Sequence, residues 1–261
     1  MPGRVRISIR DLSKTFAEGS RSVPAVSRVS LDVHDEDFVA IVGPSGCGKS
    51  TILNMIGGLI PWSGGQILVD GRPVGATPPA GVGYVFQKDT VFPWRTVERN
   101  IALGLEYRGA PAEVRAARVR EAIALAGLEG FEQAFPATLS GGMRQRVALM
   151  RSLVVDPEIL LMDEPFGALD THTKLGLHAA LLSLWEAKHQ TVVFVTHDLS
   201  EAITLADRIV VMTRRPGRIK LVYEVTLPRP RDAIKLRESA EYLREYREIW
   251  HALGEEFEGR A

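Results

Sequence analysis

The chain has 261 residues, 45% hydrophobic and 25% charged, with 32 Lys and Arg against 32 Asp and Glu. That composition fits a soluble globular protein with one large α/β domain, or a core with a smaller lobe, and the zero formal charge argues against a broad nucleic-acid-binding surface. No apolar run reaches the ~18 residues that suggest a membrane span, the opening MPGRVRISIRDLSK carries no apolar segment of a secretory signal, and the single cysteine, Cys47, leaves no internal disulfide, so a cytosolic location is expected.

RVRISIRDL and VSRVSLDV alternate polar and apolar residues and read as two strands flanking a loop with Gly, Ser and Pro. DFVAIVG is a short, nearly continuous apolar run, as expected of a strand buried on both faces of a parallel sheet. KSTILNMIGGL follows as a helix that ends at glycines. GQILVDG reads as a short hairpin piece and GVGYVFQ as another buried strand. From about Trp94 the character changes: TVERNIALGLEYRG, PAEVRAARVREAIALAGLEG and MRQRVALMRSLVV are helical, with no strand between them. Strands return in EILLMDEP, TVVFVTHD and DRIVVMTRR, separated by helical segments such as HTKLGLHAALLSLWEAKH. PRPRD marks a break, and a charged helix is expected over 233–253. No internal repeat or low-complexity tract interrupts this α/β pattern.

GPSGCGKS fits G-x-x-x-x-G-K-[ST], with the required apolar strand before it and a helix after it. Its glycines let backbone N–H groups face the phosphates of a nucleotide. Lys49 can reach the β- and γ-phosphates, and the Ser50 hydroxyl is placed to ligate Mg²⁺. Cys47 inside the loop reads as a small filler, since no His/Asp arrangement is suggested around it. Asp163 emerges at the C-terminal end of the strand in EILLMDEP, where ligands bind in open α/β sheets, and an acidic residue there can hold Mg²⁺. Glu164 follows at once and can deprotonate an attacking water. His197, at the end of TVVFVTHD, has two readings: a solvated turn residue, or a sensor of a nearby γ-phosphate. Gln87 is likewise either an ordinary polar residue or a neutral ligand that reaches Mg²⁺ and the attacking water. His34, His172, His178, His189 and His251 fall in scattered contexts with no role. LSGGMRQR at 139–146 is a second glycine-rich stretch opening a helix, the arrangement that binds anions.

The order GPSGCGKST, YVFQ, LSGGMRQR, ILLMDEP, ALD, VTHD resembles the nucleotide-binding subunit of an ABC transporter over residues 5–226. The resemblance implies an ABC ATPase fold of class α/β: a P-loop NTPase core with a mainly parallel sheet (1–91 and 157–227), an N-terminal antiparallel β part, an inserted helical signature subdomain (92–156) and a C-terminal helical extension (228–261). It implies a Walker A loop of Gly43, Pro44, Ser45, Gly46, Cys47, Gly48, Lys49, Ser50 and Thr51, and a Q-loop glutamine at Gln87. Ser140, Gly141 and Gly142 correspond to the signature loop, Asp163 and Glu164 to the Walker B aspartate and catalytic glutamate, Asp170 to the D-loop aspartate and His197 to the switch histidine. Phe16 occupies the place of an aromatic that stacks on adenine, with a buried core phenylalanine as the competing reading. ATP and Mg²⁺ are the implied cofactors, with Ser50, Gln87 and Asp163 around the metal.

FPWRTVERNIALGLE, DEPFGALD and RPGRIKLVYEVTLPRPRD narrow the likeness to importer ATPases of the nitrate/sulfonate/taurine group. Such subunits act as head-to-tail dimers at the cytoplasmic face of the membrane, with separate permease subunits and a substrate-binding protein. Two departures stand out: Met143 where the wider family favours Gln, and HDEDFVA, which lacks the usual Gly-Glu turn. Phe92 and Trp94 are either lobe core or the contact with the membrane partner. A soluble ABC ATPase of DNA repair or translation would be expected to carry a long coiled-coil insertion or a second ATPase domain, and neither is present in the sequence. A non-catalytic regulator would be expected to lack Glu164 or His197, and a P-loop kinase is disfavoured by LSGG.

Overall fold

The computed structural model describes residues 3–19, 21–75 and 77–258. The elements run β1 (Val5–Glu18), β2 (Arg21–His34), β3 (Phe38–Val42), α1 (Lys49–Ile56), β4 (Gly64–Val69), β5 (Arg72–Pro73), β6 (Val82–Val85), α2 (Val97–Tyr107), α3 (Ala112–Leu125), α4 (Gly141–Leu153), β7 (Ile159–Asp163), α5 (Thr171–Lys188), β8 (Thr191–Val195), α6 (Leu199–Leu205), β9 (Arg208–Met212), β10 (Ile219–Glu224) and α7 (Ala240–Glu258). Two sheets form. An antiparallel one has the order β2-β1-β4-β5, and a six-stranded one the order β10-β9-β3-β8-β7-β6. In the second sheet every pairing is parallel except β9 with β10.

The apolar runs of the sequence explain the layering. Side chains alternate across a strand, so β3 sends Phe38, Ala40 and Val42 into a core shared with Ile101 of α2, Val147 of α4, Leu181 of α5 and Ile203 of α6. Its Val39 and Ile41 enter a second core with Ile52 and Leu53 of α1 and with Ile7, Leu31 and Ile67 of the antiparallel sheet. All five residues of β3, β7 and β8 are buried. Full burial of such a side chain contributes about 1.5–3 kcal/mol, so polar residues are confined to the strand ends. Because β3, β6, β7 and β8 are parallel, their C-terminal ends lie along one edge. The Walker A loop, Gln87, Glu164 and His197 all follow those ends.

Three features differ from expectation. β1 runs on to Glu18 and β2 starts at Arg21, so most of the segment expected as a loop is strand. The sequence does not predict β10, because IKLVYE is a half-exposed edge without a continuous apolar face, yet it pairs antiparallel to β9. The C-terminal helix begins later than 233 and ends later than 253. Residues Lys235–Glu238 form a 3-10 turn, and α7 starts after Ser239, whose Oγ accepts the Tyr242 N–H at 3.1 Å. That capping bond fixes the helix start where the sequence offered only a charged run.

Candidate active site

The Walker A loop closes tightly between β3 and α1. At Gly48, φ is 101°, and a Cβ there would sit 2.7 Å from Val26 Cγ2 and 3.0 Å from the Ala25 carbonyl, so only glycine fits this helix start. From behind, Gly217 in the β9–β10 turn lies against the loop so closely that a Cβ would meet the Cys47 carbonyl at 1.9 Å. Hydrogen bonds Gly217 N–H to Ala25 O and Ser27 N–H to Gly217 O, both 2.9 Å, fasten the same turn to β2. Cys47 is buried, and burial pushes its thiol pKa up, in keeping with a filler.

Lys49 is buried, and its ammonium donates to the Gly43 carbonyl at 2.8 Å and the Pro44 carbonyl at 3.1 Å. A buried cation that, among the described residues, is satisfied by its own loop is poised to exchange those carbonyls for phosphate oxygens. Ser50 Oγ donates to Asp163 Oδ1 at 2.8 Å, so the hydroxyl and carboxylate expected around Mg²⁺ meet at the loop mouth. Burial pushes the Asp163 pKa up, and the Glu164 charge adds to it against the Ser50 hydrogen bond and Lys49. Two hard oxygen donors, one a desolvated carboxylate that a cation would stabilise, fit Mg²⁺ shared with phosphates.

Glu164 gathers the remaining residues. It holds φ at 45°, an uncommon value for a non-glycine residue, which re-aims the chain after β7. Its backbone N–H donates to the Val195 carbonyl at 2.9 Å. Its Oε2 accepts from Gln87 Nε2 at 3.3 Å and lies 3.0 Å from His197 Nδ1; an ionised carboxylate only accepts, so this bond requires the tautomer that carries Nδ1–H. Gln87 and His197, each with two readings from sequence, thus converge on one carboxylate oxygen.

The signature segment opens α4. Ser140 caps α4, accepting the Met143 N–H at 3.2 Å, and is exposed. Gly141 and Gly142 open the helix, and among the described residues no hydrogen bond joins 140–142 to the Walker A loop. Asp170 caps α5 through Thr173 N–H at 3.0 Å and Thr173 Oγ1 at 2.6 Å, bonds that hold its carboxyl below the usual range. Phe16 is exposed on β1 with the Lys14 ammonium 4.8 Å over its ring, which removes the core reading. Trp94, 71% exposed, is likewise outside the lobe core.

Glu201 is one of the buried groups that the sequence reading does not reveal. Glu201, 3% exposed, accepts from Thr196 Oγ1 at 2.6 Å and from Lys174 Nζ at 3.0 Å. Thr196 Oγ1 in turn accepts the Asp198 N–H at 3.0 Å, so both neighbours of His197 are anchored. The spacing of Glu201 four residues after His197, just inside a helix capped by Asp198, was the available signal.

A nucleotide-binding loop, a paired Ser–Asp at its mouth and a carboxylate held by Gln and His define a P-loop ATPase. The family model described as "ABC transporter" matches residues 26–167. An uncharacterized ABC transporter ATP-binding protein of Methanocaldococcus jannaschii is 46% identical over 253 residues, 97% of this chain and 93% of that protein. The aliphatic sulfonates import ATP-binding protein of Bacillus cereus is 44% identical over 238 residues, 91% of this chain and 92% of its own. The taurine import ATP-binding protein of Rhizobium johnstonii is 45% identical over 243 residues, 90% and 92% of the two chains. Among solved structures, a dimeric ATP-binding cassette in a post-hydrolysis state bound to ADP and Pi superposes with TM-score 0.77 at 33% identity, covering 85% of this chain and 100% of that one. The chain belongs to the ABC transporter ATP-binding family and is an ATPase. Among the described residues no helix is long and apolar enough to cross a membrane.

Proposed function

We propose that the chain is the ATP-hydrolysing subunit of an importer for a small solute of the sulfonate, taurine or nitrate kind, working as a dimer with separate membrane subunits and a substrate-binding protein. The relatives named for aliphatic sulfonates and taurine support that class of cargo. The dimeric cassette among the solved structures supports the pairing, and the relatives named as import ATP-binding proteins support a place at the cytoplasmic face of the membrane. The observation that carries the catalytic reading is the convergence of Gln87 and His197 on Glu164 Oε2, beside the Ser50–Asp163 pair.

Lys49 leaves the carbonyls of Gly43 and Pro44 to bind phosphate oxygens, and the backbone of residues 43–51 cradles the rest of the chain of phosphates. Ser50, Asp163 and Gln87 would hold Mg²⁺, which would neutralise charge on the phosphates when bound. Glu164 accepts the proton of the attacking water, while His197 and Gln87 keep its carboxylate oriented. Phe16 faces the adenine. The exposed Ser140, with Gly141, Gly142 and Asp170, addresses the nucleotide on the partner subunit. The helical subdomain over 92–156 and the exposed Trp94 receive the membrane subunit. Asn100 holds the segment 92–96 around Trp94: its Oδ1 accepts the Phe92 N–H at 2.8 Å, and its Nδ2 reaches the carbonyls of Phe92, Arg95 and Thr96.

Glu164→Gln tests this reading. ATP binding should persist while turnover falls about 10²–10⁴-fold, the range for loss of a general base. Near-normal turnover in a steady-state phosphate-release assay would overturn the assignment.

A further inference from the structure

Gln145 lies on α4, five residues beyond Ser140, and is 2% exposed. Its Nε2 stands 3.4 Å from the Phe86 carbonyl and 3.2 Å from the Pro165 carbonyl, donating to both. Phe86 immediately precedes Gln87, and Pro165 immediately follows Glu164. The two carbonyls belong to the loops that leave the neighbouring strands β6 and β7. A primary amide carries two N–H donors on one nitrogen, so a single neutral atom can pin both loops. Among the described residues no backbone N–H reaches either carbonyl. Arg144 and Arg151 tie the same helix to Asp89 and Thr90, on one of the two loops, whereas Gln145 spans both.

We propose that Gln145 is a positioning residue for ATP hydrolysis, clamping the loops of Gln87 and Glu164 to the helix that carries the signature serine. The clamp sets the spacing of the two groups that meet at Glu164 Oε2. It also makes the tilt of α4 a determinant of that spacing, since the donor moves with the helix. This role rests on the assignment of Gln87 and Glu164 to the reaction proposed above. Without the amide, the buried Pro165 contact and the part-buried Phe86 contact are both lost, and each loop can relax independently.

The experiment uses the full chain with Gln145→Met, which keeps length and bulk but has no donor, and Gln145→Asn, which keeps the donors but is one methylene short. ATP turnover, equilibrium ATP affinity and the thermal unfolding midpoint are measured for each. Turnover should fall about tenfold to a hundredfold, as for a small misplacement of reacting groups, with affinity changed by less than about twofold. Turnover within about twofold of the parent protein in a folded variant overturns the proposal, as does a loss of affinity that accounts for the lost activity. If Met does not fold, Asn decides; if neither folds, Gln145 is a core residue only and the proposal fails. Combined with Glu164→Gln, Gln145→Met should lower the residual turnover much less than it lowers that of the parent protein. A full multiplicative loss contradicts action through Glu164. Near-normal Glu164→Gln beside a slow Gln145→Met would instead refute the base assignment and leave the clamp acting through Gln87.

Discussion

Replacing His178 by leucine should remove one proton from the acid-induced loss of stability. His178 lies on α5 with 0% exposure, and neither ring nitrogen has a hydrogen-bond partner among the described residues. Its ring stands edge-on to Phe166 at 4.6 Å. Burial, reinforced by the charges of Arg237 and Lys174 and opposed by Asp198, pushes its pKa down from 6.5 to about 4. Glu201 Oε1 lies 4.0 Å from Nε2, but that oxygen already accepts from Lys174 Nζ at 3.0 Å, so desolvation dominates. A folded-state pKa below the unfolded one means that the stability is present above about pH 6.5 and lost as pH falls toward about 4. At about 1.4 kcal/mol per pH unit for one proton, that interval amounts to about 3 kcal/mol. Urea unfolding of both proteins, from about pH 7.5 to about pH 4.5, isolates this contribution, because the carboxylates titrate alike in each. The stability difference should shift toward His178→Leu as pH falls below about 6.5. Parallel profiles would refute a buried neutral imidazole at this position.

Two further changes probe the nucleotide loop and the docking surface. Gly217→Ala places a Cβ where it would meet the Cys47 carbonyl at 1.9 Å, so the Walker A loop or the turn behind it must shift. The Kd for ATP should rise by about tenfold or more in equilibrium binding, equivalent to about 1.4 kcal/mol, and an unchanged Kd would show that the turn does not buttress the loop. Trp94→Ala removes a 71% exposed ring and should leave the unfolding midpoint of the isolated chain within the small range of surface substitutions. Recovery of the membrane subunits with the tagged chain should be lost, and undiminished recovery would place the contact elsewhere.

The parts of the molecule legible in the sequence are those set by local pattern. FVAIV, ILLMD and TVVFV are buried on both faces, so an apolar run alone marked each as a core strand. Because the run stops where the sheet meets solvent, the same pattern located Asp163, Glu164 and His197 at strand ends. The glycine-rich stretch at 139–146 did open a helix, beginning at Gly141. β10 was missed because an edge strand with one half-exposed face has neither a continuous apolar run nor a strict alternation. Glu201 and Gln145 were missed for a different reason. Their partners lie on separate elements, Lys174 on α5 for the first and the ends of β6 and β7 for the second, and no local pattern reports such pairings. Phe16 and Trp94 show the same limit, since whether an aromatic is core or surface depends on what the fold lays against it.

Ser140 is exposed and, among the described residues, shares no hydrogen bond with the Walker A loop of its own chain, which bears most directly on the proposed unit of function. The decisive measurement is ATP turnover by mixed dimers pairing a Ser140→Ala chain with a Lys49→Ala chain, purified by two different tags. Head-to-tail sites give such a dimer one intact site, from the Lys49 of one chain and the Ser140 of the other, while either mutant homodimer has none. Turnover well above that of both homodimers is the expected result. Mixed dimers no more active than the homodimers would contradict a site shared between two chains.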